Sequence, residues 1–467
     1  MNPTANPLLS PSPARPPAGT TLRDADYVRA MIDDRPDAGV FRVHRDVFRD
    51  PGLFELEMRY LFERNWCFLG LASQVANPFD YLTTTIGRQP VVVMRDKAGV
   101  LRAFINSCRH RGALVAHLER GNRKYHTCSY HGWVYSAAGK LVDLKGKDEG
   151  AYTPAFDAEG HDLAGIPRFA NYRGFLFGSL SPGVPAIEDW LGGAARFIDL
   201  FVDQGPDGLE AVPGRLTFTF DANWKTQIEN ATDSYHFTDT HASYIGVLGR
   251  KRERVGDDDS AYAAIGRRSA LRRGVFDFGH GHSAFWGEIP NPEARPLYLE
   301  RDAVAARVGE TRLKWMFYTR NMTVFPNLQL SENIAPQLRI IRPLAVDKTE
   351  MLTFCVGPKG ESAEARRRRL RHYEEFFNPT GLATPDDVAT YQDCQAGFRG
   401  EYIEWQQAYA RGMAVQREGP CEKAAELGFQ PLHWLEGSME MGDETAQQPA
   451  YREWQRQLLA GLASEAQ

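Results

Sequence analysis

The sequence predicts an α+β fold in two parts, a small antiparallel β domain followed by a larger domain of mixed strands and helices. Between about residues 81 and 180 the chain reads as short β-rich runs broken by Gly, Pro, Asn and Asp. Examples are 90–94 (PVVVM), 101–106 (LRAFIN) and 175–180 (FLFGSL), a texture of hairpins. Beyond that stretch, alternating runs such as 216–220 (LTFTF) are interleaved with charged segments of helical spacing. At 467 residues the chain also exceeds one ordinary core, so two domains are the default expectation.

Residues 1–20, rich in Pro, Ser and Ala and lacking an apolar h-region, read as a disordered tail and not as a signal peptide. Residues 21–64 are expected to form a helical segment packing on the larger domain. Its last helix, over 54–66 (FELEMRYLFERNW), leads into a strand at 67–71. The β domain is placed at 65–185 and the larger domain at 186–467. In the latter, strands are expected at 216–220, 320–330, 337–344 and 349–356, and helices at 223–235, 364–377 and 386–398. The run Arg366 to Arg369 is flanked by Glu361, Glu364, Glu374 and Glu375, and reads as a solvated helix face.

Composition excludes several functions. A net charge of −5 with Lys and Arg scattered among acids gives no electrostatic footprint for nucleic acid. No run approaches the ~18 apolar residues of a membrane span, and the expected location is the cytoplasm. Six cysteines dispersed over a long chain argue for reduced thiols, not a disulfide framework. Cys67, Cys355, Cys394 and Cys421 lie outside any motif and read as core or surface thiols.

The other two cysteines sit in paired loops. The first is Cys108-Arg109-His110-Arg111-Gly112 and the second Cys128-Ser129-Tyr130-His131-Gly132-Trp133, with 17 residues between His110 and Cys128. A Rieske [2Fe–2S] centre needs two thiolates on one iron and two imidazoles on the other. A C-x-H loop facing a C-x-x-H loop suits it, each loop delivering Cys108 or Cys128 to one iron and His110 or His131 to the other. Each motif follows an expected strand, so two hairpin tips could clamp the cluster. The competing reading is a structural Cys₂His₂ zinc site, for which a single intervening residue is cramped. Rieske proteins of respiratory chains carry an extra cysteine in each loop, forming a disulfide, and usually a membrane anchor. The matching positions here are Ala113 and Tyr130, which points to a soluble, lower-potential cluster. A free-standing Rieske ferredoxin is excluded by the roughly 280 residues beyond Leu180.

Downstream lie Asn223-Trp224-Lys225, Glu229-Asn230, Asp233, Tyr235-His236 and His241. On a helix Asp233 and His236 share a face, but His241 falls roughly 140° round from His236. Both imidazoles reach one metal only if the helix ends or distorts between them, and residues 237–240 (FTDT) are weakly helical. Two His and one carboxylate form the facial triad of non-haem Fe(II). The candidate carboxylate is Asp387, in 383–387 (ATPDD). The same segment reads equally as a helix start, with Thr384 as N-cap, Pro385 at the first position and two acids at the positive end of the dipole. His236 and His241 alone are equally readable as buried core histidines.

The order C-x-H, C-x-x-H, EN…D-x-Y-H-x₄-H and a late Asp-Asp opening a helix resembles the large (α) subunit of Rieske non-haem iron ring-hydroxylating oxygenases. The resemblance runs from about Val43 to Gln395. It implies a Rieske domain plus a catalytic domain whose large antiparallel sheet is flanked by helices, a helix-grip or START-like fold. It implies that His236, His241 and Asp387 bind mononuclear Fe(II), where O₂ is the co-substrate. It implies that Asp233 bridges towards a Rieske His of a neighbouring subunit for electron transfer, and that Asn230 lies near the iron. An α3 or α3β3 assembly with a small β subunit is implied as well. The chain lacks both G-x-G-x-x-G and C-x₄-C-x₂-C. Electrons from NAD(P)H are therefore expected through a separate reductase, with or without a ferredoxin.

The stretches LFELEMRYLFERNW, IGRQPVVVMRD, INSCRHRGA and NYRGFLFGSL are most similar to the benzoate, toluate, ortho-halobenzoate and anthranilate dioxygenase group. That implies an aromatic carboxylate converted to a cis-diol or, if ortho-substituted, to a catechol. A salicylate-hydroxylase type of monooxygenase and a Rieske electron-transfer protein are the alternatives. Arg320, Arg339 or Arg342 could pair with the carboxylate bidentately, though each also reads as a structural salt bridge. His280 and His282 read as polar loop residues.

Overall fold

The computed structural model describes residues 21–255, 271–333 and 335–465; the expected tail at 1–20 lies outside the described residues. These residues separate into two units, Phe62–Val184 and a second made of residues 21–61 with residues 185–465.

The first unit is built of three antiparallel sheets. One orders Leu101–Ile105, Gln89–Arg95, Asp80–Ile86 and Arg120–Asn122; a second orders Leu141–Asp143, Val134–Ser136 and Tyr125–Thr127; a third orders Arg168–Tyr172, Phe175–Ser179 and Cys67–Leu71. Val91 to Met94 are fully buried, as an unbroken apolar run requires when both strand faces are covered. The core that gathers Val92, Met94, Phe104, Trp133 and Tyr135 also contains Cys108 and Cys128.

The second unit is organised by a nine-stranded sheet. Its strands are β1 (Leu209–Phe220), β2 (Arg272–Gly279), β3 (His282–Gly287), β4 (Thr319–Val324), β5 (Leu328–Glu332), β6 (Pro336–Ala345), β7 (Lys348–Pro358), β8 (Arg417–Glu418) and β9 (His433–Ser438). Their order is β1-β7-β6-β5-β4-β3-β2-β9-β8, with every pairing antiparallel. The expected single strand over 320–330 is two, because Phe325, Pro326 and Asn327 turn the chain between β4 and β5. Proline supplies no ladder donor there.

The central strands are buried on both faces, yet the faces differ in chemistry. Met322, Leu330, Leu338 and Phe354 lie on one. Asn321, Ser331 and Gln337 register across the other, as do Thr323, Gln329, Arg339 and Thr353. Buried polar groups need partners, and helix α1 (Trp224–Thr232) supplies one: Gln329 Nε2 donates to the Gln227 carbonyl at 2.9 Å. Thr353 Oγ1 donates to Asn378 Oδ1 at 2.8 Å.

The segment expected to be helical over 21–64 also holds an antiparallel pair of strands, Ile32–Arg35 and Val40–His44, between the short helices Ala25–Ala30 and Asp46–Arg49. Asp50 caps the helix that follows, accepting from the Leu53 N–H at 2.9 Å, with Pro51 in the first turn. The helix therefore starts before the expected residue 54. It is α-helical over Pro51–Leu56 and π-helical over Glu57–Phe62. Glu57 is wholly buried and receives Trp224 Nε1 at 2.8 Å, Lys225 Nζ at 2.5 Å and Trp454 Nε1 at 2.7 Å. Those bonds anchor the start of α1.

The arginine run corrects a sequence expectation. Arg369 is buried and paired with Glu361 at 2.8 Å, and Arg366 pairs with Glu210 at 2.6 Å and also with Glu361. Arg366 and Arg369 are thus drawn onto the protein, while Arg367 is exposed and Arg368 stands 3.9 Å from Glu364 one turn away, so the run is a solvated face only in part. Among the described residues no helix is long and apolar enough to cross a membrane. Of the cysteines outside the loops, Cys67, Cys355 and Cys421 are buried and Cys394 is exposed.

Candidate functional site

The two Cys/His loops are closed by the same pair of backbone bonds. The Cys108 N–H donates to the Ala113 carbonyl at 2.7 Å and the Gly112 N–H to the Cys108 carbonyl at 2.9 Å; in the second loop, Cys128 to Trp133 is 2.8 Å and Gly132 to Cys128 is 3.0 Å. Gly112 and Gly132 take φ of 79° and 76°, which a side chain would resist. Asn106, fully buried at the end of the strand before the first loop, ties the loop base. Its Oδ1 accepts from Val115 and Ala116 N–H, and its Nδ2 donates to the Ala116 carbonyl. Sequence reasoning passed over Asn106, although its place at the strand end directly before the motif was a signal.

The loops bring the His110 and His131 rings to 4.3 Å between centroids. Trp133 stacks on His110 at 5.0 Å and 9°, and Tyr130 lies 3.8 Å from His131. Nδ1 of both histidines is buried without a hydrogen-bond partner. The Cys108 Sγ meets the Tyr135 hydroxyl at 3.3 Å.

In the second unit, α1 ends at Asp233, whose backbone is extended at φ −83° and ψ 126°. The break thus falls ahead of His236, not in 237–240, which form a short helix α2 (Phe237–Thr240). Asp233 and His236 do not meet by sharing a helix face. Asp233 Oδ1 accepts from the Tyr235 N–H at 2.6 Å in a tight local turn, and Oδ2 stands 3.0 Å from His236 Nδ1. A proton on Nδ1 leaves the ring's lone pair on Nε2, which Asn230 Nδ2 approaches at 3.2 Å. Burial opposes charging of His236, but the Asp233 hydrogen bond and charge, with Asp387, raise its pKa overall.

Asp387 enters from helix α3 (Thr384–Gly397). That helix is capped by Ala383 without a side-chain bond and has Pro385 in its first turn, so Thr384 is not the cap. Asp387 Oδ1 lies 3.3 Å from His241 Nε2, 3.6 Å from His236 Nε2 and 3.0 Å from Asn230 Nδ2. Asp386 Oδ2 accepts from Ser243 Oγ at 3.0 Å and lies 3.6 Å from His241 Nδ1, on the far side of that ring from Asp387. The ligand atoms of His236, His241 and Asp387 all lie within 4.8 Å of one another, the one such group of three among the described residues. The four loop residues do not gather as tightly, whereas one tetrahedral zinc would bring every ligand pair to roughly 3–4 Å.

His236, His241 and Asp387 face a cleft enclosing about 740 Å³ of empty space, open solvent included, whose wall also holds Phe285, Asn321, Ser331, Arg339 and Phe376. The three arginines singled out in the sequence part company. Arg320 is buried against Glu332, Arg342 pairs with Glu350 at 3.3 Å, and Arg339 lines the cleft. His282 is no loop residue: it is fully buried on β3, held by the Trp190 carbonyl and the Phe325 N–H, and burial pushes its pKa down to about 3. His280 sits in the β2–β3 turn at φ 52°.

Residues 65–158 match the Rieske [2Fe-2S] domain and residues 188–455 the ring hydroxylating alpha subunit (catalytic domain). The chain is 42% identical to the 2-halobenzoate 1,2-dioxygenase large subunit of Burkholderia cepacia, covering 93% of each. It is 40% identical to the toluate 1,2-dioxygenase subunit alpha of Pseudomonas putida, covering 94% of this chain and 96% of that one. Among solved structures it is similar to naphthalene 1,2-dioxygenase from Rhodococcus sp. bound to indole, with a TM-score of 0.75 and 26% identity over 90% of this chain and 94% of that one. The fold and site define a two-centre iron oxygenase. The chain belongs to the ring-hydroxylating oxygenase α-subunit family, as an oxidoreductase of the Rieske non-haem iron type.

The family carries a Rieske [2Fe–2S] cluster and a mononuclear iron, takes electrons from NAD(P)H through a reductase, and works as an oligomeric terminal oxygenase. The side chains present fit both groups. Cys108 and Cys128 are buried thiols and His110 and His131 carry unpartnered buried Nδ1 atoms; His236, His241 and Asp387 converge with two nitrogens and one carboxylate, the donor set of non-haem iron.

Proposed function

We propose that this chain hydroxylates an aromatic carboxylate of the benzoate, anthranilate, salicylate or halobenzoate type, adding O₂ to give a cis-diol or, from an ortho-substituted ring, a catechol. The observation that carries the reading is the meeting of His236, His241 and Asp387 in one wall of a cleft. Two relatives at about 40% identity named for aromatic acids support the substrate class.

In this reading Cys108, His110, Cys128 and His131 hold the cluster, and His236, His241 and Asp387 the iron. The cluster supplies single electrons and the mononuclear iron the position at which O₂ reacts. Asp233 fixes the His236 ring through Nδ1 and carries the path from a neighbouring subunit's cluster, while Asn230 holds Asp387 Oδ1. Electrons arrive from a separate reductase, directly or by way of a ferredoxin, in a cytoplasmic α3 or α3β3 assembly. Residues 65–185 form the electron-entry domain and 186–467 the oxygenating one.

The test is turnover of a panel of substituted benzoates with a surrogate reductase, identifying products by mass spectrometry. A dihydroxylated product from at least one acid is expected. Oxidation of neutral arenes alone would remove the proposed substrate class.

A further inference from the structure

Arg339 lies on the polar face of β6 and is only 9% exposed. Its Nε–H donates to Gln337 Oε1 at 2.5 Å, and its guanidinium carbon is 5.5 Å from the Phe377 ring centroid. These contacts hold the plane of the group and use one of its five N–H donors. Among the described residues no carboxylate forms an ion pair with it, while the buried guanidinium groups of Arg273, Arg320 and Arg369 are paired with Asp443, Glu332 and Glu361.

A buried cation without an anion carries a desolvation penalty that its surroundings must offset. Asp387 shares two cavity walls with Arg339. Its Oδ1, however, is engaged by Asn230 and lies against the His236 and His241 nitrogens. Arg339 is the sole Lys or Arg among the described residues lining the cleft, and its planar fork matches a carboxylate bidentately.

We propose that Arg339 binds the carboxylate of the aromatic acid and so sets which ring enters the cleft. This inference rests on the substrate class proposed above. Arg339 is a specificity residue and takes no part in oxygen chemistry.

The test compares benzoate with nitrobenzene, a neutral molecule of the same shape, on the wild type, Arg339→Gln and Arg339→Lys. Two readouts are used: kcat/KM of the holoenzyme with a surrogate reductase, and ligand Kd on the protein depleted of mononuclear iron. In Arg339→Gln the benzoate-to-nitrobenzene ratio is expected to fall roughly 30-fold or more, through KM and Kd. Arg339→Lys is expected to raise the benzoate KM several-fold while keeping the preference for the acid. An unchanged ratio in Arg339→Gln, or an equal loss for both ligands, overturns the assignment. If Arg339→Gln does not fold, Arg339→Lys decides: a raised KM for benzoate alone supports the anchor, and equal changes for both ligands overturn it. A wild type that takes nitrobenzene but binds no aromatic acid defeats the substrate class itself, a result distinct from failure of the anchor.

Discussion

Asp233 Oδ2 stands 3.0 Å from His236 Nδ1, just beyond the point where helix α1 ends, and the other oxygen of Asp233 is fixed by the Tyr235 N–H. One carboxylate thus sets both the ring orientation and the tautomer of a proposed iron ligand. Outer partners of this kind are worth 10–100-fold in metal affinity. Asp233→Ala is expected to bind Fe(II) about that much more weakly and to keep its Rieske spectrum. Refilled with excess Fe(II), it is expected still to fail to oxidise its reduced cluster in a single turnover. Wild-type oxidation rates would remove the bridging role.

Asp387 is the sole carboxylate in the three-residue metal group. Asp387→Ala is expected to lose mononuclear iron and hydroxylation but to retain the visible spectrum of the cluster. Metal analysis should read about two irons per chain, against about three for the wild type. Full iron content with full activity would show the carboxylate to lie elsewhere.

Glu57 neutralises a wholly buried Lys225 and accepts both indole N–H groups of Trp224 and Trp454. Removing one member of a buried pair leaves an uncompensated charge, at a cost of about 3–5 kcal/mol. Glu57→Ala should lose stability on that scale in denaturant unfolding. Glu57→Ala combined with Lys225→Met should recover part of it, because the stranded charge is gone. No recovery in the double variant would locate the effect in the indole bonds.

Glu229 precedes Asn230 in α1 and is half-buried, with its carboxylate against the Tyr409 and Tyr451 hydroxyls. Burial, reinforced by the charge of Asp233, raises its pKa to about 7, against the lowering effect of both tyrosines and Lys225. The folded pKa lies above the ordinary carboxylate value, so the native state holds the proton longer than the unfolded chain. Stability from this group is therefore present at low pH and lost as pH rises from about 4.5 to about 7. Relative to wild type, Glu229→Gln should gain about 1–3 kcal/mol across that window, measured by unfolding at each pH. Parallel pH profiles would contradict the shift.

What the sequence disclosed was whatever spacing alone could carry. The two loops were legible because each joins Cys and His within four residues, and a short strand precedes each, Leu101–Ile105 before the first and Tyr125–Thr127 before the second. The triad was legible only as a set of candidates. Asp387 sits where a helix start would place an acid in any case, and only the fold of α3 against α1 and α2 separates the two readings. The proximity of Asp233 and His236 was expected for the wrong reason, since a local turn and not a helix face joins them. Arg320, Arg339 and Arg342 look alike as residues. Strand parity puts Arg339 opposite to Arg342 across β6, but parity does not say which face meets the cleft. The π-helical turn at Glu57 and the burial of Arg369 depend on distant partners, Trp454 and the β7–helix junction at Glu361, which no local window contains.

If the cleft at His236, His241 and Asp387 is a dioxygenase centre for an aromatic acid, both atoms of one O₂ enter the product. Mass spectrometry of the product formed from such an acid under ¹⁸O₂ tests it most directly. A diol carrying two ¹⁸O atoms is the predicted result. A product with one ¹⁸O atom, or with oxygen from water alone, would contradict it.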